Sequence, residues 1–260
     1  MPLTYLTFGG AVHAEMLRES LASLCRAWPA LPRLRVVSDG SLTRTAAEEL
    51  LEWWPAPWSF LSWEDFLPRL TDSNLAAFAR REPMGRKLAA VVGSALDGPT
   101  LYSDVDVLWF RFPASVDRLM SSAGPTLAMS PDMQPMYDKA LVPSLLPHLA
   151  NQPFYCAGLL YAAGDFLHTR RTTGLLAYAA EHGTGVTEQT ILAAVNHDLG
   201  GVSWPPDEVA LLEDDRFSHA PSFINTRWAA RHYVGQVRHI FWRDALALRL
   251  GVQSRRAARP

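Results

Sequence analysis

Two carboxylates sit two residues apart in an otherwise apolar run, Leu101-Tyr-Ser-Asp104-Val-Asp106-Val-Leu-Trp-Phe110. An apolar strand excludes such charges. An isolated carboxylate there costs free energy or is driven to take up a proton. A divalent cation removes that penalty, because hard cations take carboxylate oxygens. The stretch therefore reads as a strand that carries a metal site at its end. Taken alone, the pair reads equally well as two solvated loop acids.

Such a pair needs a frame, and the flanking sequence supplies one. Leu3–Phe8 is rich in β-formers and stops at Gly9-Gly10. Residues 11–28 place Val12, Met16, Leu17, Leu21, Leu24 and Trp28 near helical spacing, and Pro29 and Pro32 end that helix. Leu34–Ser38 is a second strand, closed by Asp39-Gly40. Residues 43–53 read as a short helix, 58–63 as a third strand, and 83–96 as a helix with Leu88, Val91, Val92 and Leu96 on one side. Residues 99–103 then deliver Asp104 and Asp106. Alternation of this kind predicts an α/β fold, a mostly parallel sheet with helices on both faces. Ligands bind such sheets at the carboxyl ends of the strands. Gly9, Asp39, Asp104 and Asp106 should therefore converge on one crevice.

The second half is less regular. Residues 131–153 hold five prolines and read as an irregular excursion over the site. A strand is expected over 154–162, a helix over 165–181 capped by Asp165, and a helix over 187–197. Extended pieces are expected at 202–204, 222–228 and 232–237. No repeat or linker interrupts the chain. A single domain over 1–250 is expected, with a basic, flexible tail over 251–260.

Composition narrows the class. The chain has 260 residues and a formal net charge of −2. Without a strong basic field, nucleic acid is not an expected partner. The two cysteines, Cys25 and Cys156, form no metal pair and no disulfide framework, and read as small core residues in a reducing compartment. No leader or membrane span is legible, so a cytoplasmic location is expected. The alanine- and arginine-rich composition hints at a bacterial source. Nine tryptophans, four of them at 53, 54, 58 and 63, could stack on sugar rings, although core packing is the simpler reading.

Four pieces follow one another in order: Tyr102-Ser-Asp104-Val-Asp106-Val-Leu-Trp109, Cys156-Ala-Gly158-Leu-Leu-Tyr161, Glu188-Gln189-Thr-Ile-Leu192, and His232-Tyr-Val-Gly235-Gln-Val-Arg238. Together they resemble the GT-A nucleotide-diphospho-sugar transferases, in particular the glycogenin-like and plant xylosyltransferase-like retaining families. The usual pattern there is Asp-x-Asp, Asn-x-Gly, Asp-Gln and His-x-x-Gly-x-x-Lys. This chain departs from it at Cys156, Glu188 and Arg238; the last two keep the charge.

The resemblance implies a GT-A-like, Rossmann-type fold. It implies a metal-dependent retaining glycosyltransferase, hexosyl or pentosyl. Such an enzyme moves a sugar from a nucleotide-sugar, typically a UDP-sugar, to a saccharide or glycoconjugate. It assigns Asp104, Asp106 and His232 to Mn²⁺ or Mg²⁺. It assigns Thr7, Phe8, Gly9, Asp39, Val105, Gly158, Gly235 and Arg238 to the donor, with Asp104 again and either Arg86 or Lys87. Helical neighbours point about 100° apart, so one of that basic pair should face the site. Glu188 and Gln189 are the implied catalytic residues on the sugar face. A hydrolase or nucleotidyltransferase with the same acid pair is the alternative, as is a non-catalytic nucleotide-sugar-binding relative. A dehydrogenase is disfavoured, because no GxGxxG follows the first strand.

Overall fold

The computed structural model describes residues 3–167, 169, 171–211, 215, 217–224 and 226–252. Among these the strands are β1 (Thr4–Gly9), β2 (Arg33–Ser38), β3 (Trp58–Leu61), β4 (Thr100–Ser103), β5 (Val107–Trp109), β6 (Thr126–Asp132), β7 (Phe154–Ala163), β8 (Val202–Ser203), β9 (Val209–Ala210) and β10 (Ala230–His232). The helices are α1 (Ala14–Ala27), α2 (Arg44–Leu51), α3 (Trp63–Phe66), α4 (Ser73–Arg81), α5 (Pro83–Asp97), α6 (Ser115–Met120), α7 (Leu141–Ser144), α8 (Thr172–His182), α9 (Thr187–Asp198) and α10 (Phe241–Arg249). None of them is long and apolar enough to cross a membrane.

The main sheet has seven strands in the order β3-β2-β1-β4-β7-β6-β8. It is mostly parallel, and β7 runs against both its neighbours, β4 and β6. A small second sheet, β5-β10-β9, lies beside it. Strand alternation divides the core. Leu6, Phe8, Tyr102 and Met129 pack with α4, α5, α8 and α9 on one face. Leu3, Tyr5, Leu101 and Ala128 pack with α1 and α2 on the other. Both faces are covered, so residues on both sides of β1 and β4 are buried.

The structure corrects several expectations in the second half. Asp165 caps no helix, because α8 begins at Thr172. Gly164, at φ +68°, turns the chain out of β7, and residues 165–167, 169 and 171 are bends and turns. The proline-rich excursion is more ordered than expected: Asp132 still belongs to β6, and α7 lies within it. Its Tyr137, Leu141, Leu146 and Leu149 are buried in the first core. Residues 222–228 form turns and coil rather than a strand, with Asn225 outside the described residues. Beyond His232 the chain enters a 3-10 helix, Gly235–Ile240, and not an extended piece. Residues 253–260 of the expected tail lie outside the described residues.

Candidate active site

Asp104 follows directly on β4, and its backbone N–H donates to the Gly158 carbonyl at 2.7 Å. Gly158 lies where the β6–β7 register slips. Met129 faces Leu160, but Ser130 faces Cys156, so Ala157, Gly158 and Leu159 bulge out between them. The Ser130 hydroxyl holds the bulge by donating to the Leu159 carbonyl at 2.7 Å. Asp106 is 3% exposed, between β4 and β5. The antiparallel pair β5–β10 sets His232 opposite Val107, and Tyr233 N–H donates to the Asp106 carbonyl at 2.8 Å. A residue far away in sequence is thereby brought onto the acid pair.

His232 Nε2 lies 3.1 Å from Asp106 Oδ1 and 3.7 Å from Asp104 Oδ2. Ligand atoms of Asp104, Asp106 and His232 all fall within 4.8 Å of one another. Two carboxylates and an imidazole suit a cation such as Mn²⁺. Gly158 faces the ring without a Cβ and leaves it room. Arg238 donates to Asp106 Oδ2 through Nη2 at 2.7 Å and Nε at 3.0 Å. Burial alone would raise the Asp106 pKa, yet His232 and Arg238 hold it well below the usual carboxylate range. Burial would likewise lower that of His232, yet Asp106 and then Cys156 keep it well above its ordinary value.

A second charged cluster adjoins the first. Lys87 is 4% exposed, and its Nζ lies 3.2 Å from Asp104 Oδ1 and 3.6 Å from Glu188 Oε1. Burial opposes its charge, but Asp104 and Glu188 together hold the ammonium protonated well above its ordinary range. The Tyr102 hydroxyl donates to Asp104 Oδ1 at 2.5 Å, and the ammonium stands 4.9 Å over its ring. Glu188 is buried at the start of α9, and its Oε1 has no hydrogen-bond partner. Burial raises its pKa to about 7, with Lys87 opposing and Asp104 adding to the rise.

These groups divide two chambers. A cavity of about 310 Å³ lies at the carboxyl ends of β1 and β2, lined by Phe8, Gly9, Asp39, Val105 and Asp106 among others. A larger one of about 530 Å³ is lined by Asp132, Cys156, Gly158, Glu188, Gln189, His232 and Gly235 among others. Met84, Lys87, Asp104 and Arg238 border both. The expected convergence of Gly9, Asp39, Asp104 and Asp106 on one crevice is observed.

Of the basic pair on α5, Lys87 faces the chambers and Arg86 does not. Arg86 donates to the carbonyls of Ala79 at 3.2 Å and Asp39 at 2.5 Å, bracing the turn after β2. Thr7 is buried within β1, lines neither chamber, and has an unpartnered hydroxyl. Gln189 borders the larger chamber, but its amide is engaged at both ends. It accepts from Ala157 N–H at 3.1 Å and donates to the Met136 carbonyl at 3.1 Å. Trp53, Trp54 and Trp58 pack in the second core and Trp63 in the first, so no exposed platform of rings exists there. Cys156 is more than a core residue: it lines the larger chamber, with Sγ 3.6 Å from His232 Nδ1.

Sequence reasoning missed Tyr102 and Asp132. Asp132 closes β6 at the larger chamber, and its carboxyl is pushed up by burial. An acid after the apolar run Leu127-Ala-Met129 was the available signal, the same one that marked Asp39 after β2.

No protein-family model matches the chain, and no curated protein matches it in sequence. Solved structures do. Mouse xyloside xylosyltransferase 1, in its apo form, superposes with a TM-score of 0.64 at 12% identity, over 90% of this chain and 98% of that one. The galactosyltransferase LgtC, in complex with donor and acceptor sugar analogues, gives 0.57 at 14% identity, over 94% and 95%. Core-mannan synthase A from Aspergillus fumigatus, in its Mn/GDP form, gives 0.50 at 11% identity, over 75% and 69%. At these identities the likeness speaks for architecture: the chain is built on the GT-A glycosyltransferase fold.

Proposed function

We propose that the chain is a metal-dependent glycosyltransferase, with residues 1–250 acting as one domain. It would move a sugar from a nucleotide-diphospho-sugar to a saccharide or glycoconjugate acceptor. The observation that carries this is the division of the crevice. One chamber lies at the ends of β1 and β2, the other faces Glu188, and Lys87 and Arg238 stand where they meet. A donor laid across that boundary would have its nucleoside in the smaller chamber and its sugar in the larger. Its diphosphate would then run past both cations and the acid pair.

Asp104, Asp106 and His232 would hold the metal, Mn²⁺ in the first instance, as the Mn/GDP form of the mannan synthase suggests. When bound, that ion would neutralise charge on the departing diphosphate. Lys87 and Arg238 would add positive charge on the same leaving group. Arg238 is half exposed, so it can leave Asp106 for a phosphate. Glu188 would face the sugar, either stabilising positive charge that develops there or attacking it as a nucleophile. Gln189 would hold the β7 bulge and Met136 in place. Uridine as the base, and retention of configuration, follow from the resemblance noted above.

The test is thermal stability with UDP, GDP, CDP and TDP, each with Mn²⁺ or with EDTA. A ligand at 100 times its Kd stabilises by roughly 2.7 kcal/mol, well within reach of a melting curve. A metal-dependent shift with one nucleotide supports the reading and names the donor class. No shift with any of them removes it in favour of a hydrolase or an inert relative.

A further inference from the structure

His232 joins the acid pair from far along the chain, and an imidazole offers a metal two different nitrogens. Which of them meets the acids is set by what the other one touches. Nε2 faces Asp106 Oδ1 at 3.1 Å. Nδ1 lies 3.6 Å from Cys156 Sγ, and among the described residues that sulfur is its hydrogen-bond partner. A histidine that gives one nitrogen to a metal carries its hydrogen on the other, and that N–H needs an acceptor.

The β7 bulge builds the acceptor. Cys156 pairs with Ser130 at the point where the β6–β7 register slips. Two residues on, the Gly158 N–H turns back and donates to Sγ at 3.4 Å. Sulfur is a large, soft and weak acceptor, so N–H groups meet it at longer range than they meet oxygen. Two donors thus converge on one buried sulfur, the Gly158 amide from its own strand and the imidazole from β10. Turning the ring over would set one carbon against Sγ and another against Asp106, and both contacts would be lost. Sγ meets the nitrogen that faces away from the acids, so the thiol holds the ring and stands outside the ligand set.

We propose that Cys156 is the positioning residue of the metal centre: its sulfur accepts from His232 Nδ1–H and so fixes the ring with Nε2 toward Asp104 and Asp106. The proposal rests on the metal-site reading of Asp104, Asp106 and His232, and adds what holds the third of them in place. It belongs to this chain in particular, because the resembled pattern has Asn where Cys156 stands. An Asn side chain there carries a carbonyl oxygen that can accept the same N–H.

The experiment is Mn²⁺ binding to the full chain, read as loss of the free-ion signal in electron paramagnetic resonance, with Mn²⁺ alone and with Mn²⁺ plus UDP. Wild type is compared with Cys156→Ala, Cys156→Val and Cys156→Asn. Ala and Val carry no acceptor and should bind Mn²⁺ about tenfold or more weakly, whereas Asn should stay within about threefold of wild type. Val fills the space of the thiol and Ala leaves a gap, so a defect shared by both and absent from Asn comes from the lost acceptor and not from packing. Melting curves of the metal-free proteins check that each variant is folded. Wild-type affinity in both Ala and Val would overturn the proposal and leave the metal site standing. A defect in Asn as large as that in Ala would overturn it too, by making the packing of sulfur the cause. If wild type bound no Mn²⁺ and Asp106→Asn behaved the same, the metal site itself would fall, and the proposal with it.

Discussion

Gly158 lies against the imidazole of His232, so closely that a Cβ at position 158 would overlap the ring. The β7 bulge and the β5–β10 pair come from distant parts of the chain, and they meet at this contact. It gives the first prediction. Gly158→Ala should displace His232, lower Mn²⁺ affinity about 10- to 100-fold, and cost about 1–3 kcal/mol of stability. Calorimetric titration with Mn²⁺ in the presence of UDP measures the first, and a denaturant melt the second. Unchanged Mn²⁺ affinity would take His232 out of the ligand set.

Asp106 accepts from Arg238 and faces His232 at 3.1 Å, so one carboxylate balances two cations. Asp106→Asn keeps the shape and removes the charge. Arg238 can turn to water and the imidazole can shed its proton, so the fold should survive at a cost of about 1–3 kcal/mol. The Mn²⁺-dependent thermal shift with UDP should vanish. A shift equal to that of wild type would remove the metal-site assignment.

Glu188 should matter to turnover more than to binding. Its Oε1 has no hydrogen-bond partner, and the residue borders the larger chamber, beyond the cations proposed to hold the diphosphate. Glu188→Gln should lower kcat by about 100-fold or more while donor KM changes by less than about threefold. Steady-state kinetics at saturating acceptor separate the two. Wild-type turnover would reduce Glu188 to a residue that starts a helix.

The same carboxyl makes stability depend on pH. Burial raises its pKa to about 7 in the folded chain, from an ordinary value of 4.5. The folded state thus keeps the proton after the unfolded chain has lost it. The stabilising contribution is complete below about pH 4.5, falls as pH rises, and is gone above about pH 7. Melting temperature of the metal-free protein should decline across that window more steeply in wild type than in Glu188→Gln. Parallel curves would contradict the assignment.

Both neighbours of His232 are anchored in a buried network. Arg231, 0% exposed, makes two 2.8 Å bonds to Asp215, and the Tyr233 hydroxyl donates to Asp244 at 2.6 Å. Arg243 ties Asp215 to Asp244. Such networks often add little net stability, but breaking one leaves a buried charge. Asp215→Asn should cost about 3–5 kcal/mol. The double variant Asp215→Leu/Arg231→Met should recover most of that loss while Mn²⁺ affinity stays low. If its Mn²⁺ affinity were that of wild type, the network would serve stability and not the placement of His232.

Parts of this molecule were legible in the linear sequence, for a physical reason. Strands covered on both faces carry apolar residues on both sides, so β1, β2 and β4 stood out, together with the polar residues that end them. Asp39, Asp104 and Asp106 each follow such a run, and strand ends in a parallel sheet share one edge. β6 was missed, because its apolar stretch is short and Pro131 follows it. The start of α8 was misread, because Asp165 resembles a cap, while Gly164 turns the chain out of β7 and the helix begins only at Thr172.

The rest depended on contacts between segments far apart in sequence. Composition and periodicity determined a strand–helix alternation and an acid pair in need of a cation. They left open that β7 runs antiparallel and bulges at Gly158, because direction and register are set by the partner strands. The choice between Arg86 and Lys87 turned on how α5 sits over the sheet. Lys87 points at Asp104 and Glu188, whereas Arg86 reaches the carbonyls of Ala79 and Asp39. The engagement of Gln189 with Ala157 and Met136, and the docking of His232 on Asp106, likewise arise from packing. Side-chain chemistry is written locally, but burial and the distance between charges are properties of the packed chain, and those decide what the chemistry does.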